Sequence, residues 1–165
     1  MSFSAEYFIS QLELEAHIEG GYFKELYKSC HTITCTGSDF KKERSISSTI
    51  YYLLKSGQVS KFHRLTSDEL WFFHSGSPLL IHMIDSQGVL RTTKLGLAIA
   101  EGELPQVLVP ANIIFGAEVA EENSFSLVSC MVSPGFDYRD FLLFTGEELR
   151  KQYPAHSATI TKLNG

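Results

Sequence analysis

The 165 residues are the length of one ordinary domain, and with 44% hydrophobic and 12% aromatic residues they can fill a core, which excludes wholesale disorder. The net charge of −5 comes from 14 basic and 19 acidic residues, and no run of Lys/Arg exceeds two (Lys41-Lys42-Glu43-Arg44), which argues against nucleic acid or an anionic membrane as partner. Cys30, Cys35 and Cys130 are an odd number without metal-like spacing; they read as free thiols, and with no signal-like start and no apolar run of membrane length, a cytoplasmic protein is expected.

Ala5 to Glu15 reads as a short helix, with Ser4 as its cap and Tyr7, Phe8 and Leu12 on adjoining turns of one face. Gly20-Gly21 interrupts regular structure and reads as a plain turn, because no helix pattern follows that would make it a phosphate loop. One or two strands are expected between Tyr22 and Thr34, and a polar loop over Thr36 to Ser45. Strands then follow at short spacing: Ser48 to Leu54, Val59 to Leu65, Glu69 to His74, Leu79 to Ile84, Val89 to Leu95, Gln106 to Val109, Ile113 to Val119 and Ser124 to Val132. Many short strands separated by turn signals predict an all-β sandwich or barrel, and the lack of helix-length segments between them argues against a parallel α/β sheet. Thr145 and Glu148 form a capping box for a helix over 145–153, which Pro154 ends. The tail after Ala155 is polar and is expected to be loose.

The chemistry concentrates in Val59 to Gly76. Residues 63 and 65 share one face of a strand, and Glu69, Trp71 and Phe73 share one face of the next. If that face is interior, His63 and Glu69 enter an aromatic-lined space from neighbouring strands. Such a pair can ligate a metal, do acid–base work, or hydrogen-bond a polar ligand. The plainer alternative for Glu69 is an ion pair with Lys61 or Arg64. Trp71, Phe73 and Phe115 are each ordinary core residues taken singly, and together could form a flat wall for a ring-shaped ligand.

The same stretch resembles the first motif of the cupins: Gly57, His63, Glu69 and Gly76 stand at its spacings, with Leu65 where its second His would be. Val109-Pro110-Ala111-Asn112 resembles part of the second motif, with Asn112 at a glycine position that tolerates the left-handed region and Phe115 at the position of the third His. Three further blocks resemble one cupin branch: His17-Ile18-Glu19-Gly20-Gly21-Tyr22-Phe23, Phe62-His63-Arg64 with Ser67-Asp68-Glu69-Leu70-Trp71, and Ser133-Pro134-Gly135-Phe136-Asp137 with Tyr138 to Phe141. The resemblance spans roughly residues 6 to 153. It implies a homodimeric double-stranded β-helix (jelly roll), similar in fold to sugar-nucleotide epimerases, with a small-molecule pocket.

A single cupin domain with short terminal helices and a core over about 17–144 is therefore expected. Its leading function is binding a small polar or cyclic metabolite (a sugar, nucleotide-like or anionic molecule) through His63 and Glu69, with Trp71, Phe73, Phe115 and Tyr22 around it. The rival is a metal-independent carbohydrate isomerase or epimerase, with His63 as base, Glu69 beside it and a tyrosine (Tyr22 or Tyr138) as proton donor. No cofactor is expected. A divalent metal is disfavoured because Leu65 and Phe115 take two of four ligand positions; if bound, it would use His63 and Glu69, with His74 or His82 as the remaining candidates.

Overall fold

The computed structural model describes residues 3–34 and 43–165. In chain order it comprises α1 (Ala5–Gln11), β1 (Glu15–Ala16), β2 (Tyr22–Lys28), β3 (Thr32–Thr34), β4 (Glu43–Ser45), β5 (Ser48–Lys55), β6 (Val59–Leu65) and β7 (Asp68–Gly76). There follow β8 (Leu79–Ile84), β9 (Leu90–Leu95), β10 (Gln106–Val109), β11 (Ile114–Val119), β12 (Phe125–Ser133), β13 (Phe141–Leu143), α2 (Gly146–Gln152) and α3 (Ser157–Asn164). No helix among the described residues is long and apolar enough to cross a membrane.

Two antiparallel sheets face each other, in the orders β1-β2-β5-β12-β7-β10 and β13-β6-β11-β8-β9, with a separate β3-β4 ribbon. Alternation along each strand decides what fills the space between them. Tyr52 and Leu54 of β5, Trp71 of β7, Ile81 of β8, Phe115 and Ala117 of β11 and Cys130 of β12 point inward and form the main core. Two smaller clusters lie on the outer faces. One joins α1 to the six-stranded sheet through Ala5, Leu14, Leu53 and Leu127. The other joins α2 and α3 to the five-stranded sheet through Phe62, Ile114, Leu149, Ile160 and Leu163. Each sheet thus buries both of its faces in part.

The strand expectations agree with the structure to within a residue or two at most ends. Ser4 caps α1 by accepting from the Tyr7 amide, and Thr145 with Glu148 closes the capping box of α2. Asn112 does take the left-handed conformation, at φ 66°. Four expectations need correction. Helix α1 ends at Gln11 instead of reaching Glu15, because Glu13 turns to φ 53° and the chain enters β1. The segment read as a loop over Thr36 to Ser45 ends in β4, which pairs with β3; residues 35–42 lie outside the described residues, Cys35 among them. Phe141–Leu143 adds an edge strand on β6. The tail is not loose: it folds as α3, where the two apolar residues Ile160 and Leu163 sit one turn apart and are buried. Asn164 completes the docking: its Oδ1 accepts from the Phe62 amide at 2.9 Å and its Nδ2 donates to the Phe144 carbonyl at 2.8 Å.

Candidate active site in the barrel cavity

A cavity of about 100 Å³ opens between the sheets at the end where β5, β6, β7 and β12 meet. Its polar lining is His17, Glu19, His63, Glu69 and Ser48, together with the exposed Glu25. The apolar part includes Leu65, Ile50, Cys130 and Val132, and six aromatic rings complete it: Phe23, Tyr52, Trp71, Phe136, Tyr138 and Phe141. No Lys or Arg lines it among the described residues.

Glu19 reaches the cavity from the turn before β2. The turn is held by the His17 amide donating to the Gly21 carbonyl and the Lys61 amide donating to the Glu19 carbonyl, at 3.0 and 2.9 Å. Gly20 passes so close to β6 that a Cβ would lie 2.0 Å from the Val59 carbonyl oxygen. The Gly20 carbonyl in turn accepts from the Tyr52 hydroxyl at 2.9 Å. Backbone approach at this glycine is therefore what pins the Glu19 carboxyl beside His63.

The hydrogen bonds fix the state of both imidazoles. His63, 2% exposed, has Nδ1 2.7 Å from the Lys61 carbonyl, which can only accept, so Nδ1 carries a proton. Its Nε2 is 3.2 Å from Glu19 Oε2. Glu19 Oε1 accepts from Ser60 Oγ at 3.0 Å. Burial lowers the pKa of His63 and raises that of Glu19, so a single proton is shared along the Nε2–Oε2 line in preference to a full ion pair. His17 Nδ1 accepts from the Glu19 backbone amide at 3.3 Å, which puts its proton on Nε2, and burial lowers its pKa as well.

Glu69 is different. It is 6% exposed and its pKa is raised to about 7, chiefly by burial, against the pull of His63 and with Glu19 adding to the rise. Trp71 and Cys130 lie close enough to temper its charge, yet neither makes a hydrogen bond of proper geometry: Glu69 Oε2 and Trp71 Nε1 have no partner. Neither Lys61 nor Arg64 pairs with it; Lys61 is exposed and Arg64 lies over the Phe144 ring. Burial also pushes the Cys130 thiol and the Tyr52 hydroxyl well up, so both stay neutral.

The expected site residues thus separate. His63, Glu69 and Trp71 meet in the cavity. Phe115 does not line it; the ring backs His63 at 4.1 Å inside the core. Phe73 does not line it either and packs, partly buried, against the same core, and Tyr22 belongs to the outer cluster under α1, one residue out of phase with the inward Phe23. Tyr138 does reach the cavity, standing 61% exposed at its mouth. His74 and His82 alternate with the inward Phe73 and Ile81 and so face outward, His74 meeting Ser129 and His82 meeting Thr92 and Glu118. Glu19 and His17 were not among the expected site residues, although both stand in the His17 to Phe23 block that carries the resemblance; the glycine pair in it lets the turn touch β6.

A divalent metal, as many cupin barrels hold, does not fit this donor set. The one free lone pair of each imidazole is engaged, on His63 by Glu19 and on His17 by a backbone amide. Leu65 supplies no donor and Phe115 none. No group of three metal-ligating side chains converges among the described residues.

Comparison with known proteins places the chain. The family described as Cupin superfamily (DUF985) matches residues 6–144. The crystal structure of protein SO0799 from Shewanella oneidensis is 47% identical, with a TM-score of 0.89 over 99% of this chain and 98% of that one. A hypothetical protein from Leishmania major is 40% identical, with a TM-score of 0.91 over 98% and 99% of the two chains. Uncharacterized protein YML079W of Saccharomyces cerevisiae is 28% identical over 156 residues, 88% of this chain and 77% of that protein. Oxalate decarboxylase of Bacillus subtilis shares the fold at a TM-score of 0.57 and 14% identity, this chain matching 37% of its length. With the family matched over residues 6–144 and its barrel present in both sheets, the chain belongs to the DUF985 family of the cupin superfamily.

Proposed function

We propose that the barrel cavity binds a small polar molecule, held by Glu69 and Trp71 and packed among aromatic rings. One observation carries this reading: a carboxyl oxygen and an indole N–H, both buried and both without a partner, line the same cavity. A buried polar atom left unpaired costs stability, and a ligand offering an acceptor to Trp71 and a complement to Glu69 would remove that cost at both atoms. The volume of about 100 Å³ suits a ligand head group of about five heavy atoms, since a cavity of about 150 Å³ holds benzene.

The chain has one tryptophan, and it is Trp71, so intrinsic fluorescence reports cavity occupancy directly. Fragments of four to eight heavy atoms (on the order of the cavity's size) are expected to shift that emission in the wild type and to lose the effect in Glu69→Gln. Fragments that bind Glu69→Gln with wild-type affinity would count against the assignment.

A second reading, a metal-independent isomerase or epimerase, is favoured by two further facts. His63 has a carboxyl partner in Glu19, and Glu69 is poised near neutral pH with a free oxygen. Because both nitrogens of His63 are engaged, Glu69 is the group placed to take a proton, with His63 and Glu19 storing it and Tyr138 available as a donor at the mouth. Deuterium wash-in at a C–H next to a carbonyl in candidate sugars, lost in Glu69→Gln, would support it; binding without wash-in would leave a binding protein. The homodimer is likewise a proposal, supported by exposed Leu26 and Tyr27 on β2 and Ile33 on the neighbouring ribbon.

A further inference from the structure

We propose that the ligand of this cavity is a small substituted ammonium ion carrying a hydroxyl group, enclosed by the aromatic lining and balanced by Glu69. The proposal rests on the reading of the cavity as a binding site and names the class of molecule that fits it.

Charge comes first. Two buried carboxyls face one small space, with no Lys or Arg in its described lining. Glu19 already shares its proton with His63, and among the described lining residues the remaining group that could carry positive charge is His17, on which burial disfavours it, so the charge left without a counter-ion is that of ionised Glu69. An anion entering this space would meet repulsion and no counter-ion. A neutral molecule would leave the carboxyls as they are. A cation supplies what the lining lacks.

The wall comes second. Neighbouring rings meet at steep angles, as the sides of a box do: Tyr52 with Trp71 at 77°, Phe136 with Tyr138 at 80°, Tyr138 with Phe141 at 78°. Aromatic faces attract a cation, and an alkylated ammonium is desolvated at little expense because it has few hydration bonds to lose. A compact inorganic cation would need oxygen and nitrogen donors that the imidazoles do not offer.

The hydroxyl comes third. Trp71 Nε1 and Glu69 Oε2 are unpartnered in the same lining. A hydroxyl satisfies both, accepting from the indole N–H and donating to the carboxylate.

The sign of the pH dependence follows. Glu69 is faced by His63 from β6, by Glu19 from the preceding turn, by Cys130 from β12 and by Trp71 on its own strand. Cation binding favours its ionised form, which predominates above about pH 7. Affinity should therefore rise through that region, and binding below it should release a proton.

The test uses a matched pair of probes on the full chain, read by Trp71 fluorescence and titration calorimetry. Choline is the cation, and 3,3-dimethylbutan-1-ol is its neutral isostere. At pH 8 choline should bind about tenfold tighter or more, and that preference should vanish in Glu69→Gln. Should the variant fail to fold, the wild type alone decides: the preference must shrink between pH 8 and pH 5.5. If the neutral isostere binds as well as choline, the cation class is wrong while the cavity remains a binding site. If neither binds but other uncharged fragments do, the class is again wrong. If nothing shifts Trp71 emission, both the class and the binding reading fall.

Discussion

Replacing Glu69 by glutamine keeps the shape of the side chain and removes its charge. In the unfolded chain a glutamate ionises near its ordinary 4.5, whereas in the fold Glu69 holds its proton up to about 7. Between those values the folded protein binds a proton that the unfolded chain does not, so stability falls as pH rises, and the loss is complete above about 7. Two and a half pH units at about 1.4 kcal/mol each give a penalty of about 3 kcal/mol at pH 8, on the order of a quarter or more of a typical domain's stability. Glutamine does not titrate. Whatever its amide costs or gains in packing is the same at every pH, so the informative quantity is the change in the mutant–wild-type difference. Urea unfolding at pH 5 and pH 8 measures it: part of the penalty is already present at pH 5, so the variant should gain on the wild type by about 2.5 kcal/mol across that interval. Glu19 and His63 titrate alongside and are present in both proteins, so the difference belongs to Glu69 and its coupling to them. Parallel stability curves for the two proteins would show that Glu69 is not held at a raised pKa, and the acid–base reading of the cavity would go with it.

Trp71→Phe removes the unpartnered indole N–H while keeping an aromatic body; it should change the stability of the empty protein little and weaken fragment binding several-fold, measured by calorimetry because the fluorophore is gone. Leu163→Ala should lower stability by about 3 kcal/mol in urea unfolding, since Leu163 is buried against the five-stranded sheet; a change within error would restore the expectation of a loose tail. Asp140 accepts two bonds from Arg44, at 2.6 and 3.0 Å, with both side chains nearly buried. Asp140→Ala should therefore cost on the order of 3 kcal/mol, read as a drop in thermal midpoint, and an unchanged midpoint would mean the pair is solvated. Light scattering should give twice the chain mass of 18.5 kDa; a single-chain mass at micromolar concentration would refute the homodimer.

The barrel was legible because alternation and turn chemistry act locally. Each strand from Ser48 to Val132 carries its own inward set, and Gly57, Gly76 and Gly88 mark turns with positive φ. The site was legible only where it lay on such strands. His63, Glu69 and Trp71 share a readable parity, while Glu19 arrives from a turn whose position depends on Gly20 touching Val59, 39 residues away in sequence. Parity also overreached: it put Phe73 with Trp71, yet the cavity occupies one end of the barrel and Phe73 lies beyond it. The tail was misread for a different reason. Two apolar residues among polar ones give a weak helical stripe, and the helix is stabilised by the sheet it covers more than by its own sequence.

The clasp between Asn164 and β6 bears on the order of events in the chain's motions. A side-chain amide there stands in for the next rung of the β13–β6 ladder, binding the Phe62 amide and the Phe144 carbonyl at once. Phe62 is the residue before His63, and its amide donates to the Asn164 side chain, a bond that is lost when the last helix lifts away. Its exchange with solvent deuterium should therefore clock the undocking of α3 alone, faster than its neighbours in β6 and independent of global unfolding. A single backbone amide beside the cavity becomes a meter for how often that side of the barrel loosens.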